Sequence, residues 1–232
     1  MFWNEDESPE QDSTTDDALD ILFSIDCRSI PVDHAYLLEQ AVRGLVPWIA
    51  EEPGMAIHSI HVAGSQNGWE RPEHGRDALL MLSRRTKLTI RAPGHRAQDL
   101  IEQLQGAQTN LAGHPLKIER GKIKPLSRET TLFSRHVTFS DDSATPIDEE
   151  TFLEMAAREL ERIDIHIRKA LCGKTLSLAT EHGAIHTRSL MLAGLTREES
   201  LRLQARGLGK HPLMGCGIFI PHKGIDPVKK TH

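Results

Sequence analysis

The stretch Gly207-Leu-Gly-Lys-His-Pro-Leu-Met-Gly215-Cys-Gly-Ile-Phe-Ile-Pro221 combines two Gly-x-Gly pairs with a basic centre and an apolar β-type segment. Glycine adopts positive φ and lets another chain approach its backbone closely, so amide groups in such a loop can point outward at an anion. Lys210 and His211 place positive charge where a phosphate would bind. The pattern predicts a loop that binds phosphate or nucleic acid. A simpler interpretation is a tight connection between a helix and a strand.

The order of elements around this loop argues against a nucleotide cofactor. In dinucleotide-binding folds the glycine motif follows a strand and opens a helix, and a Walker-type loop ends in Lys followed by Ser or Thr. Here the loop follows a predicted helix and precedes a predicted strand. We therefore expect the protein to work without a small-molecule cofactor.

Charge is distributed unevenly along the chain. Residues 1–17 contain seven acidic residues and no basic one, and without them the formal net charge of −5 becomes +2. From residue 167 onward there are eleven Lys and Arg residues against four acidic ones. We expect residues 1–17 to form a disordered acidic tail and the basic end to bind a polyanion, although a solvated basic surface explains the same counts.

Composition limits the class of protein. The chain has 232 residues, enough for one large core or two small ones, with 38% hydrophobic and 26% charged residues. It contains neither an apolar run long enough to cross a membrane nor a secretory signal. Cys27, Cys172 and Cys216 are far apart in the sequence, which disfavours disulfides and a zinc site and is typical of a cytoplasmic protein.

Hydrophobic spacing predicts one order of elements twice, β-α-β-β-α-β, which is the ferredoxin-like unit. The first unit has strands at 19–25, 55–63 and 116–123, one long strand or a hairpin at 78–92, and helices at 33–48 and 98–111. The second has strands at 131–139, 174–180, 185–193 and 218–220, with helices at 148–163, capped by Asp148, and 197–205. We therefore predict an α+β fold of two tandem ferredoxin-like units, 18–126 and 130–224, with the glycine loop at 207–217 and a short tail at 225–232.

Three parts of the sequence carry a family resemblance. The pattern Gly207-x-Gly-x5-Gly-x-Gly-x3-Pro221 resembles the C-terminal glycine-rich motif of the CRISPR precursor-RNA processing endoribonucleases of the RAMP superfamily. The segments Ile30-Pro-Val-Asp-His-Ala-Tyr36 and Leu82-Ser-Arg-Arg-Thr-Lys-Leu88 are similar to the branch attached to type I MYXAN systems. The resemblance covers most of residues 18–224.

This resemblance implies metal-independent cleavage of a CRISPR repeat RNA, with the product stem-loop retained beside other subunits of a Cascade-type effector complex. In that reaction the 2′-OH of the substrate attacks the adjacent phosphodiester and leaves a 2′,3′-cyclic phosphate and a 5′-OH. The chemistry needs a base, an acid and positive charge beside the phosphorane. Histidine can serve in both proton-transfer roles near neutral pH.

The resemblance also places the catalytic histidine at the start of the first helix, where His34 follows the expected cap Asp33. A helix N-terminus lowers the pKa of an imidazolium and favours its neutral form. Tyr36 could bind the phosphate, although core packing explains it as well. His136 is a second catalytic candidate, although a buried, hydrogen-bonded imidazole is the usual state of a histidine in a strand.

Two further histidines, His58 and His61, lie three residues apart on a predicted strand. Side chains at i and i+3 of a strand point to opposite faces, so the pair is not expected to share a metal ion. His182 and His186 flank a predicted hairpin turn, where an exposed polar turn explains them and contact with RNA is an alternative. No metal site is expected.

RNA-binding residues are expected in four places. They are the loop, with Lys210, His211, Gly207, Gly209, Gly215 and Gly217; the preceding helix, with Arg202 and Arg206; the first unit, with Arg84, Arg85 and Lys87; and the second-unit hairpin, with Lys174 and Arg188. Any one of these charges could instead be a solvated surface residue. Two other functions remain open, a non-catalytic RNA-binding RAMP subunit and an enzyme that uses the loop for a small phosphate ligand.

Overall fold

The computed structural model of the protein describes residues 18–61, 78–140 and 145–222. The expected acidic tail at 1–17 and the short tail at 225–232 lie outside these ranges. The helices are α1 (Ala35–Leu45), α2 (Ala97–Leu104), α3 (Glu149–Glu161) and α4 (Arg197–Arg206). The strands are β1 (Ala18–Asp26), β2 (Ser29–Pro31), β3 (Ala56–Ile57), β4 (Leu79–Met81), β5 (Lys87–Pro93), β6 (Gln108–Leu111), β7 (His114–Pro125), β8 (Leu132–Val137), β9 (Lys169–Thr180), β10 (Gly183–Ala193) and β11 (Ile220–Pro221).

Two antiparallel sheets carry the fold. The first has the strand order β3-β5-β1-β7-β6, and the second has the order β11-β8-β10-β9. Counted within each unit, both contain the ferredoxin-like order 2-3-1-4, with β6 added at one edge of the first sheet. Helices α1 and α2 bury their apolar faces in the core of the first unit, and α3 and α4 in that of the second. The predicted fold of two tandem ferredoxin-like units is confirmed.

Three predicted elements of the first unit differ from the structure. Residues 78–92 form neither one strand nor a hairpin, because β4 pairs with β2 while β5 pairs with β1. Helix α2 ends at Leu104, since Gly106 adopts φ 86° and the chain then turns into β6. Within 55–61, the described part of the strand predicted at 55–63, strand pairing with β5 is confined to Ala56 and Ile57.

Of the two helix caps predicted from the sequence, the structure contains one. The Asp148 carboxylate accepts a hydrogen bond from the Thr151 amide at 3.0 Å, as predicted for the start of α3. The cap expected at Asp33 is wrong, because its Oδ2 accepts a hydrogen bond from the Ala179 amide in β9 at 2.7 Å. His34 occupies the cap position of α1 without a side-chain cap bond. Asp33 therefore links the first unit to the second instead of capping its own helix.

An apolar cluster joins the two units. Ala35 of α1 packs with Leu178 and Ile185 of the β9–β10 hairpin and with Met214 and Cys216 of the glycine loop. Burial raises the pKa of the Cys216 thiol to about 12, so this group stays protonated at neutral pH. The glycine loop is therefore part of the interface between the units.

A buried guanidinium makes a further link between the units. Arg91 of β5 is 2% exposed and forms two hydrogen bonds to the Asp20 carboxylate of β1, at 2.9 and 3.2 Å. Its Nη1 donates to the carbonyl oxygens of Gln204 at 2.7 Å and Phe219 at 3.2 Å, both in the second unit. Charge-assisted bonds of this kind are among the stronger hydrogen bonds in proteins, so Arg91 fixes the second unit against the first sheet.

Candidate active site

A cleft of about 430 Å³ opens between the two units. The first unit contributes His58, Ser59 and His61, which directly follow β3. The second unit contributes Phe133, Arg135, Leu176, Ser189, Gly215, Ile218, Ile220, Pro221 and His222. The cleft thus collects three imidazoles and one guanidinium, which are the groups that proton transfer and phosphate binding require.

The wall from the first unit is the short segment 58–61. The His58 amide donates to the Thr89 carbonyl of β5 at 3.0 Å, and the Ile60 amide donates to the His34 imidazole at 3.0 Å. Residues 58–61 have left regular strand structure, so both His58 and His61 line the cleft. The alternation of a strand, from which these two histidines were expected to face opposite ways, therefore does not apply to this segment.

His58 lies beside a carboxylate, with its Nε2 atom 3.4 Å from Asp20 Oδ1. Burial lowers the pKa of His58 more than the Asp20 charge raises it, so its ring is neutral at pH 7. Burial alone would raise the pKa of Asp20, but His58 and Arg91 hold that pKa well below its ordinary value. Asp20 therefore contacts both His58 in the wall of the cleft and Arg91, the buried arginine that joins the two units.

The wall from the second unit carries Arg135 on β8 and His222 just after β11. The His222 amide donates to the Thr131 carbonyl at 3.0 Å, and its ring lies against Phe133 with centroids 5.8 Å apart. These contacts fix His222 in the part of the cleft that the second unit lines. In the parts of the chain that the structure describes, no three His, Cys, Asp or Glu side chains are grouped as metal ligands.

The three catalytic candidates from sequence lie elsewhere. His34 is 2% exposed, and both of its ring nitrogens lie within hydrogen-bond distance of backbone groups. His136 is also 2% exposed, with its Nδ1 atom 2.9 Å from Thr187 Oγ1. Tyr36 packs against the apolar cluster between the units, and a hydrogen bond to Glu181 raises the pKa of its phenol. None of these three side chains is among the residues that line the cleft.

The glycine loop is shaped by contacts within the chain. All four glycines have positive φ, between 69° and 81°. A Cβ atom on Gly209 would collide with the Thr138 carbonyl oxygen, one on Gly217 with the Leu208 carbonyl oxygen, and one on Gly215 with the Ser59 hydroxyl. Glycine is needed at these three positions because a carbonyl oxygen or hydroxyl of the protein itself lies where a side chain would begin.

Most loop amides are already bonded. The Lys210 amide donates to the Thr138 carbonyl at 2.8 Å, the Gly217 amide to the His136 carbonyl at 2.6 Å, and the Cys216 amide to the His211 carbonyl at 3.2 Å. The Nε2 atom of His211 is buried. These amides and the Nε2 atom of His211 therefore lie within the protein, in contrast to the outward-pointing phosphate cradle that the sequence predicted.

The basic side chains divide into two sets. Arg202 donates to the Ile163 and Asp164 carbonyls at the end of α3, and Arg188 donates to the Ile147 and Gly173 carbonyls. These two guanidinium groups therefore make contacts within the second unit, a role that the sequence did not predict for them. The exposed set is Lys210, Arg206, Arg84, Arg85, Lys87 and Lys174, and the Lys87 ammonium donates to the Ser24 hydroxyl at 2.8 Å.

Reasoning from sequence did not select His61, Arg135 or His222 as site residues. The sequence signals for them are weak, since Arg135 only precedes His136 and His222 only follows the proline that closes the glycine motif. Their shared cleft depends on how the units pack, which hydrophobic spacing within each unit does not report.

Comparison with known proteins gives the family. The family model described as Cas6, Cas6 Crispr, matches residues 19–224. The chain is 31% identical over 203 residues to the CRISPR-associated endonuclease Cas6 of Myxococcus xanthus strain DK1622, which covers 88% of this chain and 81% of that protein. The chain belongs to the Cas6 family. The resemblance found in the sequence is thereby confirmed, and this Cas6 protein is an endonuclease of a CRISPR system.

Solved structures share the fold of this Cas6 protein. A CRISPR-associated protein Cas6 superposes with a TM-score of 0.60 at 9% identity, covering 89% of this chain and all of that one. A protein described as a RAMP protein that binds different RNA substrates gives 0.58 at 14% identity, with 87% and 98% covered. The product of a Cas6-related gene from Pyrococcus furiosus gives 0.57 at 17% identity, with 87% and 97% covered. In the described ranges, the helices are all too short or too polar to cross a membrane.

Proposed function

We propose that this Cas6 protein cleaves CRISPR repeat RNA by 2′-OH attack, in the cleft between its two units and without a metal ion. The observation that supports this proposal is the meeting of His58, His61, His222 and Arg135 around one cleft. Attack of the 2′-oxygen on phosphorus breaks the bond to the 5′-oxygen. The products are a 2′,3′-cyclic phosphate and a 5′-OH, and one proton moves from the attacking to the leaving oxygen.

The groups that line the cleft supply what this reaction needs. His61 is exposed and His222 lines the same cleft from the second unit, so the two imidazoles are proposed as the base and acid pair. Arg135 is proposed to bind the phosphorane, since a guanidinium stays charged and matches phosphate oxygens bidentately. His58 is neutral beside Asp20 and would support the position of the segment that carries His61.

The test of this function uses repeat RNA incubated with the protein in EDTA. We expect cleavage to continue, products with a 2′,3′-cyclic phosphate, and no cleavage of RNA with a single 2′-deoxy substitution at the nucleotide that supplies the attacking oxygen. Loss of cleavage in EDTA would contradict the metal-independent mechanism. Tight binding of repeat RNA without cleavage of any substrate would favour the alternative, a non-catalytic RNA-binding subunit.

The exposed basic residues are proposed to bind the RNA backbone. The logarithm of the binding constant should fall linearly with the logarithm of the salt concentration, and Arg206→Ala or Lys210→Ala should make that slope shallower by about 0.7–0.9 each if each side chain neutralises one phosphate. Arg202→Ala is the matched control on the same helix, because its guanidinium binds the Ile163 and Asp164 carbonyls. A filter-binding series at several salt concentrations measures all three slopes. An equal reduction in all three variants would contradict this assignment.

We also propose that the protein stays on the 3′ stem-loop of its product, inside a Cascade-type effector complex in the cytoplasm. Membership of the Cas6 family and the exposed Lys174 on the β9–β10 hairpin support this proposal. Purification of the tagged protein should then yield a stem-loop RNA together with other CRISPR subunits. RNA recovered without any of those subunits would limit the partners to RNA.

A further inference from the structure

We propose that His34 is a positioning residue that holds the segment 58–61, and with it His61, in the geometry that the proposed reaction requires. This inference rests on the proposed function. It replaces the role of catalytic base that the sequence suggested for His34. The contacts of its two ring nitrogens, its burial and the place of its partner in the chain carry the argument.

The hydrogen bonds of His34 define one tautomer. The Ile60 amide donates to Nε2 at 3.0 Å, so Nε2 accepts and carries no proton. Nδ1 lies 3.0 Å from the Pro31 carbonyl oxygen and 3.2 Å from that of Val32, and therefore carries the proton and donates it. An imidazolium would place an Nε2 proton against the Ile60 amide proton. The site therefore holds His34 neutral.

The position of His34 also separates it from the reacting groups. Its side chain is 2% exposed and is not among the residues that line the cleft. A general base must come within hydrogen-bond reach of the proton that it removes, about 2.6–3.2 Å between heavy atoms. The structure instead places the Nε2 lone pair on a backbone amide of the protein.

Ile60 is the residue through which His34 acts. Its neighbours Ser59 and His61 both line the cleft, while its own side chain is 1% exposed in the first core. The bond from Ile60 to His34 and the bond from the His58 amide to Thr89 hold this segment in two places. Loss of His34 leaves a buried amide without its acceptor and lets His61 shift. A displacement of about 1 Å can cost 100-fold in rate.

Glutamine separates positioning from catalysis at this site. In the variant His34→Gln, the side-chain Oε1 atom can accept a hydrogen bond from the Ile60 backbone amide, and the side-chain NH₂ group can donate to the Pro31 carbonyl. A carboxamide side chain does not take up a proton near neutral pH. We expect single-turnover cleavage by His34→Ala to fall about 100-fold, with RNA affinity within a few-fold of the unmodified protein. His34→Gln should recover most of that loss and keep the pH–rate profile. Loss of the rate in a folded glutamine variant to the same extent as in the alanine variant overturns the proposal.

A measurement on the unmodified protein covers the case in which both variants fail to fold. Nitrogen NMR of the His34 ring should show a proton on Nδ1 only, without titration across the pH range of the cleavage profile. An imidazole that titrates together with the cleavage rate overturns the positioning role. The proposed function has a separate outcome, because absence of repeat cleavage by the unmodified protein would contradict it whatever the state of the His34 ring.

Discussion

His61→Ala is expected to lower the single-turnover rate of repeat cleavage by at least about 100-fold while RNA affinity changes by no more than a few-fold. The reason is that His61 is the exposed imidazole on the wall from the first unit and lines the same cleft as His222 and Arg135. Removal of a proton-transfer group raises the barrier of the chemical step and leaves phosphate contacts elsewhere in place. Quenched cleavage assays at saturating protein, combined with equilibrium binding, measure the two effects separately.

Two variants sharpen this prediction. His182→Ala is the matched control, because His182 lies at the hairpin turn with 87% of its side chain exposed, and we expect cleavage to be unchanged. His61→Gln should be as slow as His61→Ala, in contrast to the rescue expected for His34→Gln, because the proposed role of His61 is to exchange a proton. Full activity of a folded His61→Ala variant would contradict its role in proton transfer and leave His58 as the partner of His222.

Arg91→Met is expected to reduce the free energy of unfolding by about 3–5 kcal/mol, the usual effect of removing one partner of a buried ion pair. The variant leaves the Asp20 carboxylate buried without its guanidinium and leaves the Gln204 and Phe219 carbonyl oxygens without their donor. Arg162→Met removes an exposed arginine paired with Glu159 and should change stability by no more than about 1 kcal/mol. Urea unfolding at neutral pH measures both variants.

The double variant Asp20→Asn with Arg91→Met should be more stable than Arg91→Met alone, since it leaves no unpaired buried charge.

The pH dependence of stability that Asp20 causes has a defined sign. Because the folded-state pKa of Asp20 is depressed, its contribution is complete above the unfolded-state pKa of about 3.9 and is lost as the pH falls below that value. A loss of stability in Arg91→Met no larger than in Arg162→Met would show that the Arg91 link contributes little.

The elements that the sequence predicted well depend on neighbours in the chain. The Asp148 cap binds an amide three residues away, and the β9–β10 hairpin turns between Thr180 and Gly183, within the predicted interruption. The errors at 78–92 and at the end of α2 have different causes, one distant in the sequence and one local. The hydrophobic residues of 78–92 gave no sign that β4 would pair with β2, some 50 residues earlier, and the apolar spacing of 98–111 concealed the end of α2 before Gly106.

The candidate site was less predictable than the fold. The sequence identified His34 and the glycine motif as important, but it assigned His34 to catalysis and the glycines to RNA. In the structure His34 binds the Ile60 amide, 26 residues away, and Gly215 packs against Ser59 of the other unit. Each of these residues packs against or positions a partner that is distant in the sequence, so the local sequence does not reveal that partner.

The sequence by itself determined the repeated order of strands and helices, because alternation and helical spacing are set by residues that are neighbours along the chain. It also determined the family, through the glycine motif. Only the tertiary structure decided the cleft, the Arg91 link and the tautomer of His34. These features join residues as far apart as Arg91 and Phe219, separated by 128 positions, and no local pattern encodes which distant carbonyl or amide a buried side chain will meet.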